Sequence, residues 1–178
     1  MPDLTSHARA AAALPLIDRV SPDAAHTFLK VPDIAGESRH AGHEEEIELF
    51  GVEWGFDTAD SATAGRGRRR RAPESSDVVV TLATDSSVPY LVQAMVRGKA
   101  FHEVVISWVV PGEVQFERQQ LTLRNVVVSS VRLASAQSLP AVVAALSYES
   151  FVLRYVEQGE DRAAGAEHEV EFDLFANA

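Results

Sequence analysis

From His26 onward the apolar residues come in short runs, many of them alternating with polar ones and broken by proline, glycine and polar clusters. Side chains along a strand point to opposite faces in turn, so alternation with a period of two marks strands. A first run, 27–31, is closed by Pro32-Asp33 and followed by a polar loop, 36–46. Residues 47–56 predict a strand in which Ile47 and Leu49 share one parity and Phe50, Val52, Trp54 and Phe56 the other. That switch predicts a bulge near Leu49. Residues 77–84, with Val78, Val79 and Val80, predict the next strand.

One segment carries a helical period. Val88, Leu91, Val92, Met95 and Val96 fall on one helix face. Ser86 or Ser87 suits its start, Pro89 its first turn and Gly98 its end. Alternation then resumes in Val104, Ile106, Trp108 and Val110, closed by Pro111-Gly112. Residues 114–133 predict a long bent strand whose parity shifts between Phe116 and Leu121. Residues 142–156 predict another, shifting between Tyr148 and Phe151. After a polar turn at 158–165, Val170, Phe172 and Leu174 alternate with Glu169, Glu171 and Asp173. This predicts a half-buried last strand with its acids outward. Seven or eight strands and one helix after the third suit a small closed barrel or a two-sheet sandwich, the two long strands serving both sheets.

The 178 residues are enough for one domain with a real core. Residues 1–25, rich in alanine with Pro2, Pro15 and Pro22, read as a flexible or partly helical N-terminal arm. The apolar run 10–17 contains Pro15 and follows Asp3 where a leader carries positive charge, so no signal peptide is expected. Domain boundaries are therefore 1–25 for the arm and 26–178 for the β domain. No apolar run is long enough to span a membrane. Without cysteine, disulfides, thiol catalysis and cysteine-based zinc sites are excluded.

The net charge is −10, which disfavours a nucleic-acid partner, yet five arginines crowd together: Arg66, Arg68, Arg69, Arg70 and Arg71. They lie within 57–76, a stretch with no apolar period, and loops of that length are usually functional or disordered. Their flanks hold alanine, glycine, proline and serine, without the aromatics that nucleic-acid surfaces use. An acidic protein surface, such as another copy of this chain, is the favoured contact.

Catalytic signatures are missing: no G-x-x-x-x-G-K, G-x-G-x-x-G or G-x-S-x-G motif occurs. No catalytic residue, cofactor or metal is expected. His40 and His43 beside Glu44, Glu45 and Glu46 read as a solvated polar loop, His102-Glu103 and His168-Glu169 as surface pairs, and Trp54 and Trp108 as core.

Four segments in order resemble one family, the haemolysin co-regulated protein, the tube protein of type VI secretion. Residues 28–38, Phe-Leu-Lys-Val-Pro-Asp-Ile-Ala-Gly-Glu-Ser, are similar to its opening strand and Gly-Glu-Ser turn. His43, Glu46-Ile47 and Val52-Glu53-Trp54-Gly55 resemble its His…Glu-Ile…Trp-x-Trp-Gly stretch, with Val52 where the family often has tryptophan. Asp85-Ser86-Ser87, Pro89, Leu91 and Gly98-Lys99 resemble its helix region, and 121–131 its most typical strand.

The resemblance, over roughly 26–175, implies a mainly β fold: a compact β-barrel of two antiparallel sheets with one flanking α-helix. It implies a structural subunit, not an enzyme. Six copies form a ring, and rings stack head-to-tail into a hollow tube that carries effector cargo. The tube is tipped by a spike protein and driven out of the cytoplasm by a contractile sheath. The stretch 57–76 corresponds to the family loop that reaches a neighbouring ring; the arm and the arginine run are not part of the resemblance. Head-to-tail stacking joins unlike faces. The arginine run is therefore expected to dock on acids of an adjacent subunit, among Glu44, Glu45 and Glu46 or within 167–173, where Glu169 and Glu171 lie. The alternative reading is an acidic β-barrel module that uses 66–71 to hold an anionic or nucleic-acid partner.

Overall fold

Ten strands and one helix form among residues 25–57, 74–111, 116–134, 141–159 and 164–176, those described by the computed structural model. In chain order they are β1 His26–Lys30, β2 Ile47–Glu53, β3 Phe56–Asp57, β4 Glu74–Ser75, β5 Val78–Ala83, α1 Val88–Arg97, β6 Ala100–Val110, β7 Phe116–Ala134, β8 Ala141–Ser147, β9 Ser150–Gln158 and β10 Ala164–Asp173. β3 and β4 pair with each other as a short ribbon. The other eight form an antiparallel sheet in the order β10-β9-β7-β6-β1-β2-β5-β8. β8 then returns to pair with β7, which closes six strands into a barrel and leaves β9 and β10 as an extension of its wall.

Closure depends on β7. On one side, β7 pairs with β6 from Phe116 to Val127. On its other side it meets β9 through Gln119 to Arg124 and β8 through Val127 to Ala134. The expected single strand over 142–156 is in fact two, broken at Tyr148 and Glu149. Opposite that break, Asn125 of β7 adopts a left-handed φ of 52°. Glu149 N–H donates to the Arg124 carbonyl at 3.0 Å, and the Asn125 amide donates to the Glu149 carboxylate at 2.8 Å. The two strands therefore turn the corner together. Burial on β7 passes there from Leu121 and Leu123 to Val126 and Val128. The parity shift expected between Phe116 and Leu121 is also present: Trp108 pairs with Gln119 and Val109 with Glu117, leaving Arg118 as the extra residue.

The bulge expected near Leu49 lies between Leu49 and Gly51, leaving Phe50 59% exposed. β2 ends at Glu53 rather than at Phe56, which belongs to the ribbon. On β6, Val104 and Ile106 are buried as expected, but beyond the irregularity at Trp108 it is Val109, not Val110, that is buried.

Helix α1 packs against β7 and begins at Ser87 with Pro89 in its first turn. Ser87 does not cap with its side chain; the Asp85 carboxylate accepts from both the N–H and the hydroxyl of Ser87. Gly98 ends the helix at φ 61°. The buried face is Val88, Leu91 and Ala94, with Met95 packed beside it, whereas Val96 is 76% exposed. The apolar stripe read from the sequence is thus rotated by a small residue, Ala94.

Residues 35–46 fold back on themselves. Gly36 N–H donates to the Glu45 carbonyl at 2.7 Å, Glu45 N–H to Ser38 at 2.9 Å and Ser38 N–H to Glu46 at 3.1 Å. Gly36 is required for this approach: a Cβ there would press into the Glu46 carbonyl, 2.6 Å from its carbon and 2.7 Å from Ile47 Cα. The loop covers Phe28, which is 1% exposed and stacks on the His43 imidazole at 4.4 Å.

Candidate functional site

Strand edges are the chemically open parts of a β fold, because each carries unpaired N–H and C=O groups. Within the eight-stranded sheet, several strands have a stretch with a described partner on one side only, among them residues 100–104 of β6, which pair with β7 alone, and two such edges are the longest. β10 pairs with β9 alone. The far half of β7, beyond Val127, pairs with β8 on one side, and no described strand pairs with it on the other. The two edges differ in sequence and lie at different places on the barrel.

The last strand is more open than its alternation predicts. Val170 is 51% exposed, whereas Phe172 and, just past the end of β10, Leu174 pack on the core. An edge extension has neighbours on only one side, so alternation alone overstates burial. β10 carries the acids in register with β9: Glu167 opposite Val156, Glu169 opposite Arg154 and Glu171 opposite Val152. Arg154 binds Glu167 at 2.6 Å and Arg124 of β7 binds Glu171 at 2.5 Å. These side chains, with Glu103 of β6, rim a depression of about 430 Å³ floored by Val105, Thr122 and Val152.

A second constellation fixes the ribbon. The Trp54 indole N–H donates to the Tyr148 hydroxyl at 2.6 Å, and that hydroxyl also pairs with the Ser75 hydroxyl. Trp54 and Phe56 pack on Phe151 at 4.9 and 5.4 Å, and Phe151 packs on Phe172 at 6.1 Å. The ribbon is thereby held to the β8–β9 corner and to β10. Trp54 is packed against the core as expected, as is Trp108. Tyr148 and Ser75 were not singled out by the sequence. A lone tyrosine at a parity shift was the available sign, because buried phenols usually find a polar partner.

Of the residues expected at a subunit contact, Arg66, Arg68, Arg69, Arg70 and Arg71 lie outside the described residues, as do 58–73 of the expected loop and 1–24 of the expected arm. The acids fall in two places. Glu44, Glu45 and Glu46 occupy the turn before β2, at the opposite end of that strand from the ribbon. Glu46 is engaged internally, accepting from His43 Nδ1 at 2.8 Å with both side chains largely buried, whereas Glu44 and Glu45 are exposed. Glu169 and Glu171 are on β10. His43 is therefore not the solvated residue the sequence suggested; its ring is a lid on Phe28, with His40 5.2 Å from the same ring. His168 meets Glu157 at 3.0 Å on the surface. Among the described residues, no group of three or more histidines and acids is arranged for a metal, and no helix is long and apolar enough to cross a membrane.

The family described as "Type VI secretion system effector, Hcp" matches residues 28–157. Among solved structures, the chain is similar to a type six secretion system protein, with a TM-score of 0.79 and 22% identity over 87% of this chain and 99% of that one. It is also similar to Hcp1 from Salmonella typhimurium, with a TM-score of 0.70 and 20% identity over 86% and 96%. Hcp1 from the E. coli EAEC 042 pathovar matches with a TM-score of 0.69 and 19% identity over 85% and 99%. No curated protein sequence matches.

Proposed function

The chain belongs to the Hcp family of type VI secretion, and from that premise we propose that it is a structural subunit of the secretion tube, six copies of which close into a ring. The observation that supports this reading is the pair of unlike open edges. Equal edges on a two-fold axis make a closed dimer, whereas unlike edges make a head-to-tail contact that closes only as a ring. Adding β10 of one copy to the far half of β7 in the next satisfies both rows of backbone groups at once.

Rings stack into a hollow tube through their unlike ends. The ribbon that leads into 58–73 leaves one end of β2, and the exposed Glu44 and Glu45 sit at the other. The arginine run of one ring docks on those acids of the next, or on Glu169 and Glu171 of β10. Exposed ion pairs contribute about 0–1 kcal/mol each, so stacking is cooperative and weakens with salt. A contractile sheath surrounds the tube, a spike tips it, and effectors travel with it out of the cytoplasm. The subunit performs no catalysis.

Mass in solution tests the ring. The wild-type chain is expected at six times its 19.3 kDa. N–H groups point alternately to the two sides of a strand, so of Glu169→Pro and Val170→Pro one removes an outward donor. That variant is expected to fold yet stay monomeric. A wild-type monomer that shifts nucleic acid in a gel would establish the binding-module reading instead.

Replacing all five arginines with serine is expected to leave rings intact while abolishing their filaments in electron micrographs at low salt. Filaments that persist unchanged would remove the arginine run from stacking.

A further inference from the structure

We infer that residues 10–17 of the N-terminal arm lie across the outward face of β5 and β8 on the barrel of the same copy. This contact needs no ring. Val78, Val80 and Leu82 of β5 and Val142, Ala144 and Leu146 of β8 are buried in the barrel. Their neighbours therefore point outward: Val79, Thr81 and Ala83, paired in register with Ala145, Val143 and Ala141. A sheet face in contact with water is normally polar. The outward face of β6, β7 and β9 obeys that rule, with Glu103, Arg124 and Arg154. The six positions on β5 and β8 carry no charge and a single hydroxyl, and that threonine is 8% exposed.

Charge returns at the margins, in Glu53 beside Val79 and Arg132 beside Val143. An uncharged centre inside a charged rim is the pattern of a covered surface. Gly51 of β2 adds to it. It pairs with Thr81, on the same side of the sheet, and a Cβ there would meet nothing nearer than Thr81 at 3.8 Å. The barrel thus leaves room above Gly51, and a glycine within a strand marks places where another backbone comes close.

The chain itself supplies the occupant. Residues 10–17, Ala-Ala-Ala-Ala-Leu-Pro-Leu-Ile, carry no polar side chain, so small apolar groups meet small apolar groups. The root of the arm is in the right place. Thr27 pairs with Leu49, Leu49 with Leu82 and Leu82 with Val142. His26, the next residue toward the arm, is level with Val143. β8 lies three strand intervals from β1, on the order of 15 Å. Residues 18–25 span up to about 26–29 Å when extended, enough to carry 10–17 onto the face. Pro15 lacks an N–H, which suits a segment lying over a sheet rather than joining its ladder. The family match begins at residue 28, so the arm lies outside the matched domain.

Two cysteines introduced into a chain that has none form a unique pair. Leu14→Cys with Val143→Cys is expected to cross-link within one chain under a short bis-maleimide, read by mass spectrometry of the digested monomer band. Leu14→Cys with Gln120→Cys is the control. Gln120 is on the polar face, two strand intervals from β1 and so nearer the root of the arm. It is expected to cross-link about tenfold more slowly. No cross-link at Val143, or equal rates at both positions, would overturn the inference. A cross-linked dimer band would give the face to a second copy and overturn it as well. Ala145→Cys takes the place of Val143→Cys if that variant fails to fold. Labelling of Val143→Cys alone measures the cover directly. Leu14→Asp with Leu16→Asp is expected to speed its reaction with maleimide about tenfold, as for a face covered nine-tenths of the time, and to leave Gln120→Cys unchanged. Labelling that is equally fast beneath the native arm would show a bare face and overturn the inference.

Discussion

Gly36→Ala is expected to destabilise the protein by about 3 kcal/mol, the upper part of the usual range for overpacking. For a domain of this size that lowers the melting temperature by about 6–12 °C. The reason is local and backbone-based. The new methyl group meets the Glu46 carbonyl and Ile47 Cα rather than the end of a flexible side chain. Relief requires prising 36–38 away from 45–46, which breaks the hydrogen bonds at Gly36, Ser38 and Glu45. The displaced loop would also uncover Phe28, which His43 now shields. Gly55→Ala is the matched control. A Cβ there meets nothing within 4 Å, so the change should stay within about 0.5 kcal/mol. Thermal melts of the two variants decide the matter; equal shifts would show that the loop yields at no cost.

Leu91→Ala should be comparably damaging, by about 3 kcal/mol, because it opens a cavity beneath the helix. Leu91 is fully buried among Val88, Ala94 and the barrel interior. Val96→Ala should change stability by less than about 0.5 kcal/mol, since Val96 is 76% exposed. Periodicity alone places both residues on one apolar face and predicts similar losses. Denaturant midpoints for the pair therefore measure how far the buried face is turned. A large loss at Val96 would mean that another copy or partner covers it.

That pair also marks where sequence reading is strong and where it weakens. Strand identity was legible because alternation is enforced wherever one face is buried, and both the bulge near Leu49 and the extra residue at Arg118 left a parity switch. The corner at Asn125 was not legible, because it depends on a bond to Glu149, a residue distant in sequence. The helix face was misjudged because Ala94 is small enough to sit against the barrel while Val96 is more apolar but points away. β10 was read as half-buried since alternation cannot report that a strand lies beyond the barrel wall. At the candidate surfaces, the acids of β10 were legible by type, but their pairing with Arg124 and Arg154 and the open edge beside them follow from topology.

The long bent β7 has a consequence for the order in which the chain folds. Its pairing with β8 and β9 joins neighbours in sequence, whereas the ladder most distant in sequence joins Phe28 of β1 to Ser107 of β6. Contacts distant in sequence form slowly, and chains emerge from the ribosome from the N-terminal side. The first strands made are thus among the last enclosed. Leu29 and Ile47 must wait uncovered until β6 has been synthesised, and that interval is when a nascent chain of this fold most needs protection from aggregation.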